Sequence, residues 1–188
     1  MQPAENPSGR QLGQPNQRWL GDDGAADPLV RAALARAAVG EPDTQTGYLR
    51  AVAALGGARL LMPIVASGDE SMDGPDPDRH AEMAAVSVRN QAGEQALLAF
   101  TGSDSLRAWD PAARPVPGDL SEVAATVGES GSTLLLVDVA GPSPLVVGDD
   151  LVAELSQGRR LVELDEGGFG WMYLAEPDQP EAPDLPER

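Results

Sequence analysis

The stretch that decides the fold is residues 83–109, MAAVSVRNQAGEQALLAFTGSDSLRAW. Two apolar runs, Met83–Val88 and Ala96–Phe100, flank the short polar segment NQAG, which is typical of a β-hairpin turn. Directly after the second run, Ser103 is placed to cap a short helix that carries one Leu and one Trp. The stretch therefore predicts an antiparallel strand pair that leads into a helix.

Two helices and a strand are predicted before this hairpin. The first helix begins at Asp27-Pro28, because Asp suits a helix cap and Pro suits the first turn. A second apolar stripe with helical spacing follows Asp43. Residues 60–65 then form a short apolar run, which predicts a buried strand. Pro63 cannot donate to a sheet ladder, so we expect a sheet edge or a strand end there.

Strands and helices also alternate irregularly after residue 109. Residues 111–118 are rich in Pro and are interpreted as a linker. Asp119 and Glu122 have the spacing of a capping box and predict the start of another helix. The remaining predicted elements are a strand over Thr133–Val139, a strand over Leu145–Val147, a helix from Asp149 and a short strand at Leu161-Val162.

This order predicts an α+β fold, with helices packed on a mixed, mostly antiparallel sheet in a single domain with disordered tails. Residues 1–26 are polar and lack apolar periodicity, so they are predicted to be a disordered arm. The folded domain is expected over residues 27–165, followed by an aromatic segment over 166–175. Residues 176–188 are acidic and rich in Pro and are predicted to be a disordered tail.

The residues of the deciding stretch resemble the SseB (enhanced serine sensitivity) N-terminal domain family. In that family a strand after a hairpin ends in Phe-Thr or Phe-Ser and precedes a short helix with Leu and Trp, as Phe100-Thr101 and Leu106 to Trp109 do here. The resemblance covers roughly residues 28–160 and departs from the family at the turn 141–144, GPSP. It implies a single α+β domain and no reaction, since the family name records a phenotype and carries no catalytic residues over to this chain.

Composition excludes several kinds of chemistry. The chain has 188 residues, no cysteine, no lysine, one histidine (His80) and a formal net charge of −17. Thiolate, zinc-thiolate and lysine-dependent mechanisms are therefore excluded within the chain. A strongly acidic chain is also repelled by nucleic acid and anionic lipid. We expect no cofactor, no nucleic-acid or membrane partner and, because no signal-peptide pattern opens the sequence, a cytoplasmic location.

Isolated aromatic residues near both ends are candidates for protein contacts. Phe169, Trp171 and Tyr173 alternate with period two among glycines, which fits either an edge strand of the domain's own sheet or a segment that pairs with a partner or a second copy. Trp19 and Leu20 form an apolar pair in the polar arm, and they either dock on the domain or bind a partner. An unknown protein or a homo-oligomer is the expected partner.

A second candidate site is the strand-to-helix turn that contains Thr101 and Ser103, with Trp109 nearby. Such turns often hold small ligands in α/β folds, although the two hydroxyls also suit backbone capping and Trp109 also suits core packing. The acidic loop 67–80 resembles half of a calcium loop, with Asp69, Ser71 and Asp73 at alternate positions. His80 stands where a bidentate Glu is needed, so we predict no metal site and leave weak cation binding open.

No complete catalytic motif is found, which favours a non-catalytic interaction or regulatory domain. The alternatives are a domain that binds a small, amino-acid-like metabolite and an enzyme that works without cysteine.

Overall fold

The computed structural model of the chain describes residues 17–67 and 82–173. The predictions for residues 1–16, for residues 68–80 of the acidic loop and for the tail 176–188 lie outside the described residues. The helices are α1 Pro28–Ala38, α2 Thr44–Leu55, α3 Ser103–Trp109, α4 Leu120–Glu129 and α5 Asp149–Ser156. The strands are β1 Leu60–Ser67, β2 Glu82–Ala85, β3 Ser87–Arg89, β4 Gln95–Ala99, β5 Arg114–Gly118, β6 Leu134–Val137, β7 Leu145–Val147, β8 Arg160–Glu163 and β9 Phe169–Met172.

The strands form three sheets. One has the order β2-β1-β5, the second has the order β3-β4-β6-β7, and the third is the hairpin β8–β9. Within the described part of the chain, β4 and β6 are the one parallel pair, and every other named pair is antiparallel. The predicted α+β fold with a mixed, mostly antiparallel sheet is therefore confirmed.

Local capping signals explain where three helices begin. Asp27 accepts a hydrogen bond from the main-chain amide of Leu29, and Asp43 accepts one from that of Thr46. Asp119 and Glu122 form the complete capping box that their spacing predicts. Each carboxylate satisfies an amide that the helix itself leaves without a partner. The predicted starts of α1, α2 and α4 are thus confirmed.

The apolar run of β4 is continuous because both faces of the strand are buried. Leu97 and Ala99 lie in the main core with residues of α1, α2, α4 and α5. Leu98 and Phe100 lie on the other face, in a smaller cluster with Leu106 of α3. Successive side chains of a strand point to opposite faces, so covering both faces requires apolar residues at every position.

The prediction for Pro63 is wrong, because β1 lies in the middle of its sheet, between β2 and β5. The carbonyl of Pro63 accepts from the amide of Val86 at 3.2 Å, and the carbonyl of Val86 accepts instead from the amide of Leu98 at 2.9 Å. Val86 lies between β2, which pairs with β1, and β3, which pairs with β4. The chain therefore passes from one sheet to the other at this residue. A proline is tolerated opposite this residue because the Val86 carbonyl takes its hydrogen from the other sheet.

The prediction of a linker over residues 111–118 is also wrong in part, since Arg114–Gly118 forms strand β5 and pairs with β1. Pro115 and Pro117 made the segment look like a linker in the sequence. Proline is tolerated in an edge strand, where one side of the backbone has no ladder to complete, and β5 is such an edge. The described residues include no helix that is both long enough and apolar enough to span a bilayer.

Candidate functional site

A fully buried carboxylate, that of Asp138, lies where the parallel strands β4 and β6 end. Its Oδ1 accepts hydrogen bonds from the main-chain amide of Thr101 at 2.9 Å and from the hydroxyl of Ser105 at 2.6 Å. Its Oδ2 accepts from the Thr101 hydroxyl at 2.6 Å. An ionised group can be buried only when it is paired and hydrogen-bonded, and these three donors supply the hydrogen bonds.

The opposite charge comes from Arg31 on helix α1. Its Nε donates to the Thr101 hydroxyl at 2.7 Å and lies 3.4 Å from Oδ2 of Asp138. Its Nη2 donates to Asp104 at 2.7 Å and to Ser105 at 3.2 Å. Burial raises the pKa of Asp104, but the amide of Ser105 and the Arg31 guanidinium together lower it by more than burial raises it, so the net shift is downward. Arg31 therefore joins α1 to the ends of β4, β6 and α3.

The backbone of Asp138 is unusual, with a φ of 53°. This left-handed conformation is uncommon outside glycine, and Asp and Asn tolerate it best. It lets the chain turn directly after β6 while the side chain points back towards Thr101. The side chain of Asp138 is thereby held in the interior, where its bonds to Thr101 join the end of β6 to the end of β4.

A short segment of the chain, Asp22–Ala26, lies over the turn that contains Thr101 and Ser103; we name it the cover segment. The carbonyl of Gly24 accepts from the Ser103 amide at 2.8 Å. Gly24 has a φ of +76°, and a Cβ there would lie 2.1 Å from the Ser103 hydroxyl oxygen. At Gly102 a Cβ would lie 2.9 Å from the Ala26 nitrogen. Both glycines are needed for this close approach.

Arg59 ties the cover segment to the same turn. Its Nη1 donates to the Thr101 carbonyl at 3.2 Å, and its Nη2 donates to the Ala25 carbonyl at 2.7 Å. Its Nε lies 2.9 Å from a carboxylate oxygen of Asp22, and the arginine side chain is only 7% exposed. Residues 17–26 therefore have defined contacts with the domain, which differs from the disordered arm predicted through residue 26.

The three residues predicted as a ligand turn do not form one open site. Thr101 is buried against Asp138, and Ser103 lies under the cover segment. Ser103 is the first residue of α3 and not its cap, because the cap residue is Gly102 and makes no side-chain bond. Trp109 packs against Phe100 with ring centroids 5.7 Å apart, in the smaller core cluster.

The aromatic segment forms one strand of the hairpin β8–β9. Phe169 and Trp171 are half-buried and pack against the main core. Tyr173 follows the strand and is 70% exposed, with Met172 47% exposed and Leu164 49% exposed. Arg50 of α2 holds the hairpin through hydrogen bonds of 2.8 and 3.0 Å from its Nε to the Glu163 carboxylate. The hairpin is anchored on the domain and keeps exposed apolar side chains.

The pair Trp19-Leu20 is divided between two environments. Trp19 is half-buried, and the guanidinium of Arg18 lies 5.0 Å from the centre of its ring. Arg18 also donates to Asp119 at 2.8 Å, which attaches the 3-10 turn Gln17–Trp19 to the cap of α4. Leu20 is exposed. Trp19 is thus half-buried beside Arg18, and Leu20 is the exposed member of the pair.

Arg159 and Arg160 line a pocket of about 330 Å³ between the ends of α2 and α5. Arg160 donates to the Gly56 carbonyl at 2.7 Å and Arg159 pairs with Glu154, so both guanidinium groups already have partners. In the described ranges, no group of three or more His, Asp or Glu side chains is arranged to hold a metal ion. The acidic loop in which cation binding was left open lies almost wholly outside those ranges.

A family model of the SseB protein N-terminal domain matches residues 30–154. The chain belongs to the SseB family. The resemblance carried by residues 96–109 is therefore confirmed. No curated protein and no solved structure matches the chain. The matched SseB domain contains the buried network of Arg31, Thr101, Ser105 and Asp138, whereas the cover segment and the hairpin β8–β9 lie outside the match.

Sequence reasoning singled out Thr101 but missed Arg31, Ser105, Asp138 and Arg59. A signal was present for one of them, because Asp138 directly follows the apolar run of β6, as Thr101 follows that of β4. Polar residues at the carboxyl ends of two neighbouring parallel strands meet at the same sheet edge. That inference required knowing that β4 and β6 pair in parallel, which their short apolar runs do not reveal.

Proposed function

We propose that this SseB-family chain is a non-catalytic interaction domain, and that it contacts a protein partner through the outer surface of the hairpin β8–β9. The observation that carries the proposal is the exposure of three large apolar side chains on this hairpin, those of Leu164, Met172 and Tyr173. We name them the hairpin patch. Leu164 and Met172 fall on the face of the hairpin opposite Phe169 and Trp171, and Tyr173 follows directly after β9. Exposed apolar side chains are typical of protein contacts, and aromatic residues and Met are enriched there.

The way the hairpin is built supports this proposal. Phe169 and Trp171 pack against the core, and Arg50 holds Glu163, so the backbone beneath the patch is fixed before any partner binds. A pre-organised surface loses less conformational entropy on association. In the described residues β8 and β9 pair only with each other, so each strand also has an outer edge that could accept a partner strand.

The environment of the hydroxyl groups supports the absence of catalysis. Thr101 and Ser105 are engaged with the buried carboxylate of Asp138, and the cover segment lies over their turn. A catalytic hydroxyl needs access to substrate and an adjacent base. The same burial removes support for a metabolite site at Thr101 in this closed form. The net charge of −17 favours a protein partner over nucleic acid, and a cytoplasmic location stays a prediction.

The test replaces two of the three patch residues and keeps the anchors. We would prepare the full chain with Met172→Asp and Tyr173→Ser, and a matched control with Val39→Asp and Leu29→Ser, two exposed apolar residues on and just after α1. Each protein would carry a photo-crosslinking residue at position 166, in the hairpin turn, and would be irradiated in its native cytoplasm.

We expect the wild type and the control to form the same crosslinked protein product, and the patch variant to lose it at an unchanged melting temperature. A product that the patch variant retains would contradict the proposal. The proposal would also be contradicted if the wild type formed no crosslinked product at all, neither with another protein nor with a second copy of the chain.

A further inference from the structure

The surface beneath the cover segment consists of hydrogen-bond donors with an arginine at its centre. Arg59 supplies a nearly buried guanidinium, and Ser103 supplies its main-chain amide. The cover segment supplies the matching acceptors, which are the Asp22 carboxylate and the Gly24 and Ala25 carbonyls. We name Arg59 and residues 101–103 the donor groove. Its contacts define what it accepts: a chain with an acidic residue two positions before a glycine that has a positive φ.

The cover segment is held almost entirely by these polar contacts. Gly24 is buried, but Asp22, Asp23 and Ala25 are exposed, and no large apolar side chain of the segment enters the core. Segments with few buried apolar contacts open at low free-energy cost. An open pocket of about 340 Å³ also borders the segment, between it and residues 57–59, so there is room beside it for a second chain to approach.

Arg59 is 7% exposed with the cover segment in place, and the segment supplies its ion pair with Asp22 and its hydrogen bond to the Ala25 carbonyl. Lifting the segment would remove these contacts. A second acceptor chain in the same position would restore them.

The family match separates the groove from its occupant. Arg59, Thr101 and Ser103 lie within the matched residues 30–154, whereas Asp22, Gly24 and Ala25 precede them. The SseB domain thus contributes the donors, and a flanking segment contributes the acceptors.

We propose that the donor groove is a peptide-binding site for an Asp-x-Gly segment of a partner protein, and that the cover segment is its intramolecular competitor. The proposal is independent of the hairpin patch.

The test measures binding of a fluorescent peptide with the sequence of residues 18–28, RWLGDDGAADP, to the full chain. Gly24→Val removes the competitor, because a Cβ there meets the Ser103 hydroxyl oxygen at 2.1 Å and the φ is +76°. Gly131→Val is the matched control, since Gly131 also has a positive φ, of +71°, but has no atom within 4 Å of its Cβ position. Asp22→Asn removes the ion pair without a steric change and serves as a second, milder variant.

We expect the Gly24→Val chain to bind the peptide at least tenfold more tightly than the wild type, the Asp22→Asn chain to show a smaller gain, and the control to bind like the wild type. A peptide that carries Val at the position of Gly24 should not bind. Hydrogen exchange at the Ser103 amide reports directly whether the cover segment has left the groove.

Two results would overturn the proposal. The first is a failure of release to increase binding: the Ser103 amide either exchanges faster in both variants without any gain in peptide affinity, or stays protected in both variants. The second is a dimer of either variant formed without peptide, which would assign the groove to the cover segment of a second copy.

Discussion

Asp138 accepts two hydrogen bonds from Thr101, one from the main-chain amide at 2.9 Å and one from the hydroxyl at 2.6 Å. The two residues follow neighbouring parallel strands, and the ladder between these strands ends with the bond from the Asp138 amide to the Ala99 carbonyl. The carboxylate extends the connection beyond the ladder. It also gives Arg31 a fixed position, so a single side chain organises one end of the sheet.

Replacing Asp138 by Asn is expected to lower the free energy of unfolding by about 2–4 kcal/mol, because Arg31 loses its buried counter-charge and one hydroxyl meets a donor in place of an acceptor. Asn tolerates the positive φ of this position, so the loss reports on the network and not on backbone strain. Urea unfolding measures it. Asp165→Asn, at an exposed position in the hairpin turn, is the control and should change stability by less than about 0.5 kcal/mol. Equal effects of the two substitutions would contradict the assignment.

Phe100 is expected to be among the most costly core positions. It is fully buried, contacts Trp109 and pairs through its main chain with Leu61. Phe100→Ala should lower stability by about 3–5 kcal/mol, since a large cavity remains between two sheets. Leu29→Ala, at a side chain that is 78% exposed, should have almost no effect. Chemical unfolding followed by tryptophan fluorescence would show both, and a small loss for Phe100→Ala would mean that the cluster collapses around the cavity.

The capping box of α4 gives a graded prediction. Asp119→Ala should cost about 1–2 kcal/mol, because the amide of Glu122 loses its acceptor. Asp119→Asn should cost less, since Asn is as good a cap as Asp and only the charge facing Arg18 is lost. Thermal or urea unfolding of both variants checks the order. Equal losses for Asn and Ala would show that the ion pair with Arg18 outweighs the cap, because both substitutions remove the ion pair and only Ala removes the cap.

Acid should destabilise the protein in a defined range. Hydrogen bonds from the Thr46 main chain and side chain lower the pKa of Asp43, and the hydrogen bond from Arg50 lowers that of Glu163. For Asp119, burial raises the pKa, but Ser121, the Glu122 amide and Arg18 together lower it by more than burial raises it, so the net shift is downward.

A carboxyl group with a lowered pKa in the folded state stabilises the fold above its unfolded pKa and loses that contribution as the pH falls through its folded pKa. The contribution of these groups to the melting temperature should therefore be fully present and constant between pH 5 and 8, and the melting temperature should fall as the pH drops below about 4. Differential scanning calorimetry across pH 2.5–8 tests this. A melting temperature that stays constant down to pH 3 would show that these carboxylates are unpaired in solution.

Sequence reasoning succeeded where the signal is local. The caps at Asp27, Asp43 and Asp119 and the hairpin after Val88 depend on residues a few positions apart, and all are present in the structure. The SseB resemblance was likewise carried by one continuous stretch, residues 96–109.

The features that were missed depend on residues far apart in the chain. Arg31 and Thr101 are separated by 70 residues, and Thr101 and Asp138 by 37. No spacing rule connects such positions until the pairing of the strands is known. The strand β5 was missed for another reason, since its two prolines look like a linker and become compatible with a strand only at an unpaired edge.

Val86 has a consequence for how the molecule can move. Its amide is bonded to one sheet and its carbonyl to the other, and Leu61 and Phe100 add two further bonds between the same sheets. A hinge between two halves of the domain would have to break both bonds between Leu61 and Phe100 and at least one of the two at Val86. The protein is therefore unsuited to the clamshell closure by which many binding proteins enclose a ligand, and its response to a partner is restricted to peripheral parts moving over a rigid centre.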